Sequence, residues 1–282
     1  MRLAKKTTLL LSGFAAAAAA MAVGTGQAVA ETGVARDWQL GFQQAATPTM
    51  VWIEEFHTLI LWIITAIVLF VLALLIIVMV RFNAKSNPVP SKTTHNTFVE
   101  VAWTLIPILI LLVIAVPSFR LLYFDRIIPD ADLTIKAIGN QWYWSYEYPD
   151  ADGMTFDSLM VEDADLKEGQ PRLLAVDNDV VVPVGKTVRV IVTATDVIHD
   201  WAIPAFGMKM DAIPGRLNEA WFRADKTGIF YGQCSELCGQ RHAFMPIAVR
   251  VVSEADYAEW LEKAKQEFAS VPAATEVARV AQ

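Results

Sequence analysis

Two long uncharged apolar runs, residues 58–80 and 101–119, are interrupted by a short polar stretch and followed by a different pattern altogether. At 1.5 Å per residue the runs reach about 34 and 28 Å, close to the roughly 30 Å hydrocarbon core of a bilayer. They predict a hairpin of two membrane spans, at about 57–80 and 99–122. Pro107 and Pro117 fall inside the second run. Membrane helices tolerate such prolines because neighbouring helices re-satisfy the freed carbonyls, so a bent second span packed on other helices is expected. After residue 125 the period shortens. Segments 133–138, 187–193, 228–231 and 247–252 alternate or cluster β-branched and aromatic residues at strand length, with Gly, Pro, Asn and Asp between them. They predict a β-sandwich of about a hundred residues. Ser253 followed by Asp256 reads as a helix start, with Tyr257, Leu261, Ala264 and Phe268 recurring at helical spacing. The fold class is therefore membrane-anchored all-β, with a short helix closing the sandwich. The end of the chain, 271–282, shows no periodicity and is expected to be a mobile tail.

The first thirty residues form a separate element. Arg2, Lys5 and Lys6 precede an alanine-rich run that closes on Ala28-Val29-Ala30, the small-x-small pattern of a signal-peptidase site. Residues 1–30 are expected to be a removed signal peptide, which leaves 31–125 as the N-terminal segment and hairpin. The loop between the spans carries Arg81, Lys85 and Lys92 and no acid before Glu100, which fits the cytoplasmic side. Both signals place the domain at 126–270 outside the cytoplasm; the membrane expected is a bacterial inner one, with this domain on its periplasmic side.

Charge sharpens this picture. The 282-residue chain is 55% hydrophobic with a net charge of −7, yet residues 125–282 hold 25 of its 30 acids against 15 of its 23 bases. Such an outer domain attracts a basic partner and repels nucleic acid.

Both cysteines of the chain and one of its four histidines lie in one stretch, Gly232-Gln-Cys234-Ser-Glu236-Leu-Cys238-Gly-Gln-Arg-His242-Ala-Phe-Met245-Pro. Thiolate, imidazole and thioether together make a soft donor set that favours copper over magnesium, calcium or manganese. Zinc suits Cys and His too, but the thioether points to a copper electron-transfer site. A disulfide is the structural alternative for the two cysteines. A mononuclear blue-copper site needs two His and one Cys, so this loop holds one thiolate too many and one imidazole too few. His199, in Asp196-Val-Ile-His199-Asp200-Trp201, is the sensible second imidazole, because His57 and His95 flank the spans. Two coppers sharing both sulfurs would account for the second thiolate.

Cys-Ser-Glu-Leu-Cys-Gly-x-x-His-x-x-Met-Pro resembles the binuclear copper (CuA) loop of the cytochrome c oxidase subunit II family. Gly139-Asn-Gln-Trp-Tyr-Trp-Ser-Tyr-Glu-Tyr148 and Met210-Asp-Ala-Ile-Pro-Gly-Arg-Leu-Asn218 are similar to two further stretches of that family. The similarity runs from about His57 to Trp260. It implies a cupredoxin-like domain with copper ligands His199, Cys234, Cys238, His242, Met245 and the backbone carbonyl of Glu236. It also implies that the Glu236 carboxylate binds a magnesium ion (Mg2+) shared with subunit I, a hard donor for a hard cation. Trp142 would be where electrons arrive from cytochrome c, and Glu100 would stand at the entrance of a proton pathway in subunit I. Subunits I and III would be the partners, oxygen reduction being completed at haem and copper in subunit I.

The aromatic run from Trp142 to Tyr148 would, on a strand, place Trp142, Trp144, Tyr146 and Tyr148 on one face. Core packing or an interfacial belt is the ordinary use of most of these rings. Three other functions compete. A quinol oxidase subunit lacks the copper ligands, a nitrous oxide reductase copper domain lacks the spans, and a membrane-anchored copper-delivery or assembly protein carries its thiols on a thioredoxin-like fold.

Overall fold

A computed structural model of the chain describes residues 33–268. The expected signal peptide and the 271–282 tail lie outside the described residues. Helix α1, Pro48–Arg81, starts where the Thr47 hydroxyl accepts from the Met50 amide at 3.1 Å and Pro48 takes the first position. Helix α2, Thr97–Arg126, starts on Asn96, whose side chain accepts from the Val99 amide at 3.2 Å, and it continues through both prolines. Each helix is longer than its apolar run, so its polar ends extend past the hydrocarbon. Neither buries the centre of that run within the chain. That surface needs lipid or the helices of other subunits around it.

The outer domain is two five-stranded sheets packed face to face. The first comprises β1 (Leu133–Asn140), β2 (Tyr143–Tyr148), β3 (Met154–Ser158), β5 (Thr187–Ala194) and β8 (Asn218–Arg223), in the order β3-β2-β1-β5-β8. The second comprises β4 (Val180–Pro183), β6 (His199–Ile203), β7 (Met208–Ala212), β9 (Gly228–Cys234) and β10 (Pro246–Val252), in the order β4-β10-β9-β6-β7. Neighbours run antiparallel except β1 with β5 and β4 with β10. Alternation along β1 and β5 buries Ile135, Ala137, Val188, Val190 and Val192 against Val180, Val182, Ile247, Val249 and Phe230 of the other sheet. Helix α3, Glu254–Glu267, capped by Ser253, buries Ala264 and lays Tyr257, Trp260 and Leu261 on the core.

Strand β2 ties the sheets together. Trp144, Tyr146 and Tyr148 point inward and are fully buried, and each has a polar group that must find a partner there. The Trp144 indole donates to the Met245 carbonyl at 3.3 Å, and the Tyr146 hydroxyl accepts from the Trp201 indole at 3.1 Å. The Tyr148 hydroxyl accepts from the Val181 amide at 3.0 Å and donates to the Val181 carbonyl at 2.9 Å. Val181 lies on β4, an edge strand, so this one hydroxyl stands in for the neighbour that β4 lacks. Trp142 is not part of the strand, although it packs against the same core. It lies in the turn before β2 and is only half-buried, because the strand begins at Tyr143.

The domain is seated on the hairpin at its outer end. Trp52 of α1 stacks on Phe124 of α2 with centroids 4.4 Å apart, Phe124 meets Trp221 edge-on, and the Trp221 indole donates to the Asp125 carbonyl at 3.1 Å. Residues 45–47 add a strap, with Ala46 bonded through its amide to Ala205 and through its carbonyl to Asp225. Replacing Tyr148 by Phe leaves a buried amide and carbonyl of Val181 without partners. The variant is expected to lose about 2 kcal/mol of stability, measured as a shift in the denaturant midpoint of the membrane-extracted chain with an unchanged slope.

Candidate metal centre

The donor loop runs from the end of β9 to the start of β10, and a single 3-10 turn, His242–Phe244, folds it back on itself. Cys234 is the last residue of β9, and β6 lies beside it with Trp201 paired to Cys234. That pairing brings in His199, the first residue of β6. His199 follows the segment 187–193 expected to be a strand, and the structure gives it a strand of its own, whose five residues are all buried.

The converging atoms are close. The two cysteine sulfurs are 3.9 Å apart and both thiols are free. His199 Nδ1 is 3.9 Å from the Cys234 sulfur, and His242 Nδ1 is 3.5 Å from the Cys238 sulfur. Met245 Sδ is 3.5 Å from the Cys238 sulfur, and the Glu236 carbonyl oxygen is 3.3 Å from that of Cys234. The ligand atoms of His199, Cys234 and Cys238 all fall within 4.8 Å of one another. His199, both cysteines and Met245 are buried, whereas His242 is half-buried and the Glu236 side chain is exposed. Each sulfur thus has one imidazole nitrogen beside it and one weaker donor nearby.

Supporting groups orient these ligands. Asp196 Oδ1 lies 2.8 Å from His199 Nε2, and the carboxylate is held by the amides of Val197 and Gln141 at 2.6 Å each. A hydrogen bond at Nε2 leaves the Nδ1 lone pair for a metal, the usual second contact of a metal-bound histidine. Gly139 lies against the imidazole, and a Cβ there would meet His199 Cδ2 at 2.8 Å. The Gln141 side-chain nitrogen and the Trp142 indole both donate to the Cys238 carbonyl, at 2.8 and 3.2 Å. Gly239, at φ +128°, leaves room for that indole, since a Cβ would stand 2.9 Å from Trp142 Cζ2. Asp196, Gly139 and Gln141 were missed as site residues, although all three lie in stretches already prominent in the sequence. What marked them was proximity in sequence to Trp142 and His199, which carries no distance.

The electrostatics suit a cation. Burial works against ionising Cys234, but hydrogen bonding with His199 and nearby backbone groups outweighs it and sets the thiol below its ordinary value. Cys238 is pushed up to about 12 by burial and by the neighbouring Cys234 charge. Burial opposes charging His199, yet Cys234 and Asp196 raise it overall. Beside the site, burial and the Asp211 carboxyl push Asp200 up to about 7, and its Oδ1 has no hydrogen-bond partner among the described residues. Glu100 is far off, in the first turn of α2, with its carboxylate 3.4 Å from the Asn96 amide.

Two family models match the chain. One, described as the periplasmic domain of cytochrome c oxidase subunit II, covers residues 133–252, and the other, its transmembrane domain, covers 35–121. A probable cytochrome c oxidase subunit 2 of Rickettsia bellii is 56% identical over 224 residues, 79% of this chain and 83% of that one. The chain belongs to the cytochrome c oxidase subunit II family. Subunit 2 of Oenothera berteroana is 50% identical over 233 residues, covering 80% of this chain and 90% of its own. A crystal structure of the periplasmic domain of subunit II from Bradyrhizobium japonicum is 65% identical, covering 50% of this chain and 99% of that one, with a TM-score of 0.48. The family's two parts correspond to the hairpin and the sandwich, so the β-domain is extracytoplasmic and membrane-anchored. The donor set fits the CuA copper centre that subunit II membership implies, with two free sulfurs and an imidazole nitrogen beside each.

Copper uptake is expected to weaken as pH falls. Copper binds thiolates and neutral imidazoles, whereas at this candidate site Cys238 starts protonated and His199 holds its proton more tightly than a free histidine. Each displaced proton costs about tenfold in affinity per pH unit. Copper uptake by the metal-free chain in competition with a chelator, followed over a pH series, checks the sign and the proton count.

Proposed function

We propose that this subunit accepts electrons from cytochrome c at a binuclear copper centre. It passes them to the haem and haem-copper centres of subunit I, where oxygen is reduced to water with proton pumping. The observation that carries the reading is the pair of free, buried cysteine sulfurs 3.9 Å apart, each with a histidine Nδ1 alongside. His199, Cys234, Cys238, His242, Met245 and the Glu236 carbonyl would hold the metal. Bound there, a copper pair supplies reversible one-electron chemistry with the charge change spread over two ions. The chain's part is to keep those donors still. The His199 ring is held through Asp196 and Gly139, the Met245 carbonyl by Trp144, and the Cys238 carbonyl by Gln141 and Trp142. Rigid ligands make the geometry the same in both oxidation states, which is what fast electron relay needs.

Trp142 is the candidate contact for the donor. Its half-buried indole reaches from the surface to the Cys238 peptide in one hydrogen bond. The acidic outer domain would steer a basic cytochrome c to it. The exposed Glu236 carboxylate, close enough to Asp200 to raise its pKa, adds negative charge that suits a magnesium ion at the boundary with subunit I. Glu100 is the candidate mouth of a proton pathway, at the cytoplasmic end of the hairpin. Subunit III, cleavage after residue 30 and a bacterial inner membrane complete the proposal, together with the boundaries 126–270 for the copper domain and 271–282 for the tail. A copper-delivery protein on a thioredoxin-like fold does not match the two-sheet sandwich.

The purified oxidase should contain two coppers in this subunit. Its oxidised spectrum should show the hyperfine pattern of one electron shared equally by two copper nuclei. Cys234→Ser should abolish that pattern, and a wild-type subunit holding one copper, or a Cys234–Cys238 disulfide, overturns the reading. Trp142→Gln should slow electron arrival from cytochrome c by orders of magnitude while donor binding changes little. Stopped-flow reduction and binding titrations separate the two.

A further inference from the structure

At the outer end of the hairpin, α1 and α2 leave a cleft of about 430 Å³ whose lining includes Trp52, Glu55, Phe56, Leu59, Arg120 and Leu121. Its depth follows from the apolar runs. Glu55 lies three residues before the first run and Arg120 is the first residue after the second, so both sit at the lipid–water boundary. Arg120 lies over the Trp52 ring at 5.3 Å, which holds the guanidinium in the cleft. Neither Arg120 nor Glu55 has an ion-pair partner among the described residues, although they line the same cleft. An acid and a base that leave each other unpaired at a membrane surface present one charge of each sign to a third body. Phe56, Leu59 and Leu121 make the floor apolar. Tryptophan and arginine at this depth are the residues that engage headgroups.

We infer that this cleft binds a zwitterionic phospholipid of the outer leaflet, one whose headgroup carries a phosphate and a primary ammonium. Arg120 takes the phosphate through its planar donor fork, Glu55 takes the ammonium, and an acyl chain lies on the apolar floor. Trp52, which lines the cleft, also stacks on Phe124 beneath Trp221, so the lipid braces the seat of the copper domain on the hairpin. This inference does not depend on what the domain carries.

Native mass spectrometry of the complete complex, after delipidation and exposure to nanodiscs of equal phosphatidylethanolamine and phosphatidylglycerol, tests it. The wild type should retain phosphatidylethanolamine, and Arg120→Gln should lower that retention about tenfold, as the loss of a charged hydrogen bond implies. Glu55→Gln should keep a bound phospholipid but lose the preference for the ethanolamine headgroup. Copper content should be unchanged in both variants, since neither residue reaches the metal site, and this shows that the variants assemble. A photoactivatable phosphatidylethanolamine should label residues around Leu121 in the wild type. Equal retention by wild type and Arg120→Gln, no headgroup preference in the wild type, or cross-linking of this cleft to a helix of another subunit instead of lipid would overturn the proposal.

Discussion

Strands β6 and β9 meet through two residue pairs, Trp201 with Cys234 and Ala202 with Gln233, and this short register sets the distance between His199 and the cysteine pair. A slip of one residue would turn His199 to the other face of its sheet and dissolve the site. The register is pinned by steric fit as well as by hydrogen bonds. Gly232 lies so close to the Ala202 carbonyl that any Cβ would overlap it, at 1.9 Å. Trp201 is fully buried, with its indole bonded to Tyr146 of the opposite sheet. Moving β6 would cost both that hydrogen bond and the close packing around the ring.

The same economy of position recurs in the aromatic strand. Trp144, Tyr146 and Tyr148 fill the core, and their three polar groups find backbone or ring partners on the far sheet and its donor loop. One of them reaches the Met245 carbonyl, so the packing that stabilises the sandwich also fixes the donor loop beside the two cysteines. The Gly139–Tyr148 stretch therefore serves as one wall of the site and as the lock between sheets. Packing that rigid restricts rearrangement of the ligands on a change of charge.

The hairpin contributes differently. Its helices bury almost nothing within the chain, and its outer end holds the domain through stacked rings and a strap of backbone hydrogen bonds. The anchor thus sets the height and orientation of the copper domain over the membrane, while its remaining apolar surface is left for lipid and partner helices.

The hairpin, the sandwich and the donor loop were legible in the sequence because each depends on local order. Apolar run length, period-two alternation and five donors within twelve residues of one loop all survive without a structure. His199 could be chosen only by elimination, and its supports could not be chosen at all. Asp196, Gly139 and Gln141 belong to the site through strand pairings that join residues tens of positions apart, such as Gly139 with Ala194 and Trp201 with Cys234. Alternation on a strand would group Trp142 with the other rings, whereas the resemblance made it an exposed contact. β2 begins only at Tyr143, and the half-buried Trp142 indole rests on the Cys238 carbonyl. Residue type determines which chemistry is available to this chain, since donor softness and hydrophobicity are properties of single side chains. Distance and orientation come only from the register of strands, because pairing energy is shared among residues that the chain order keeps apart.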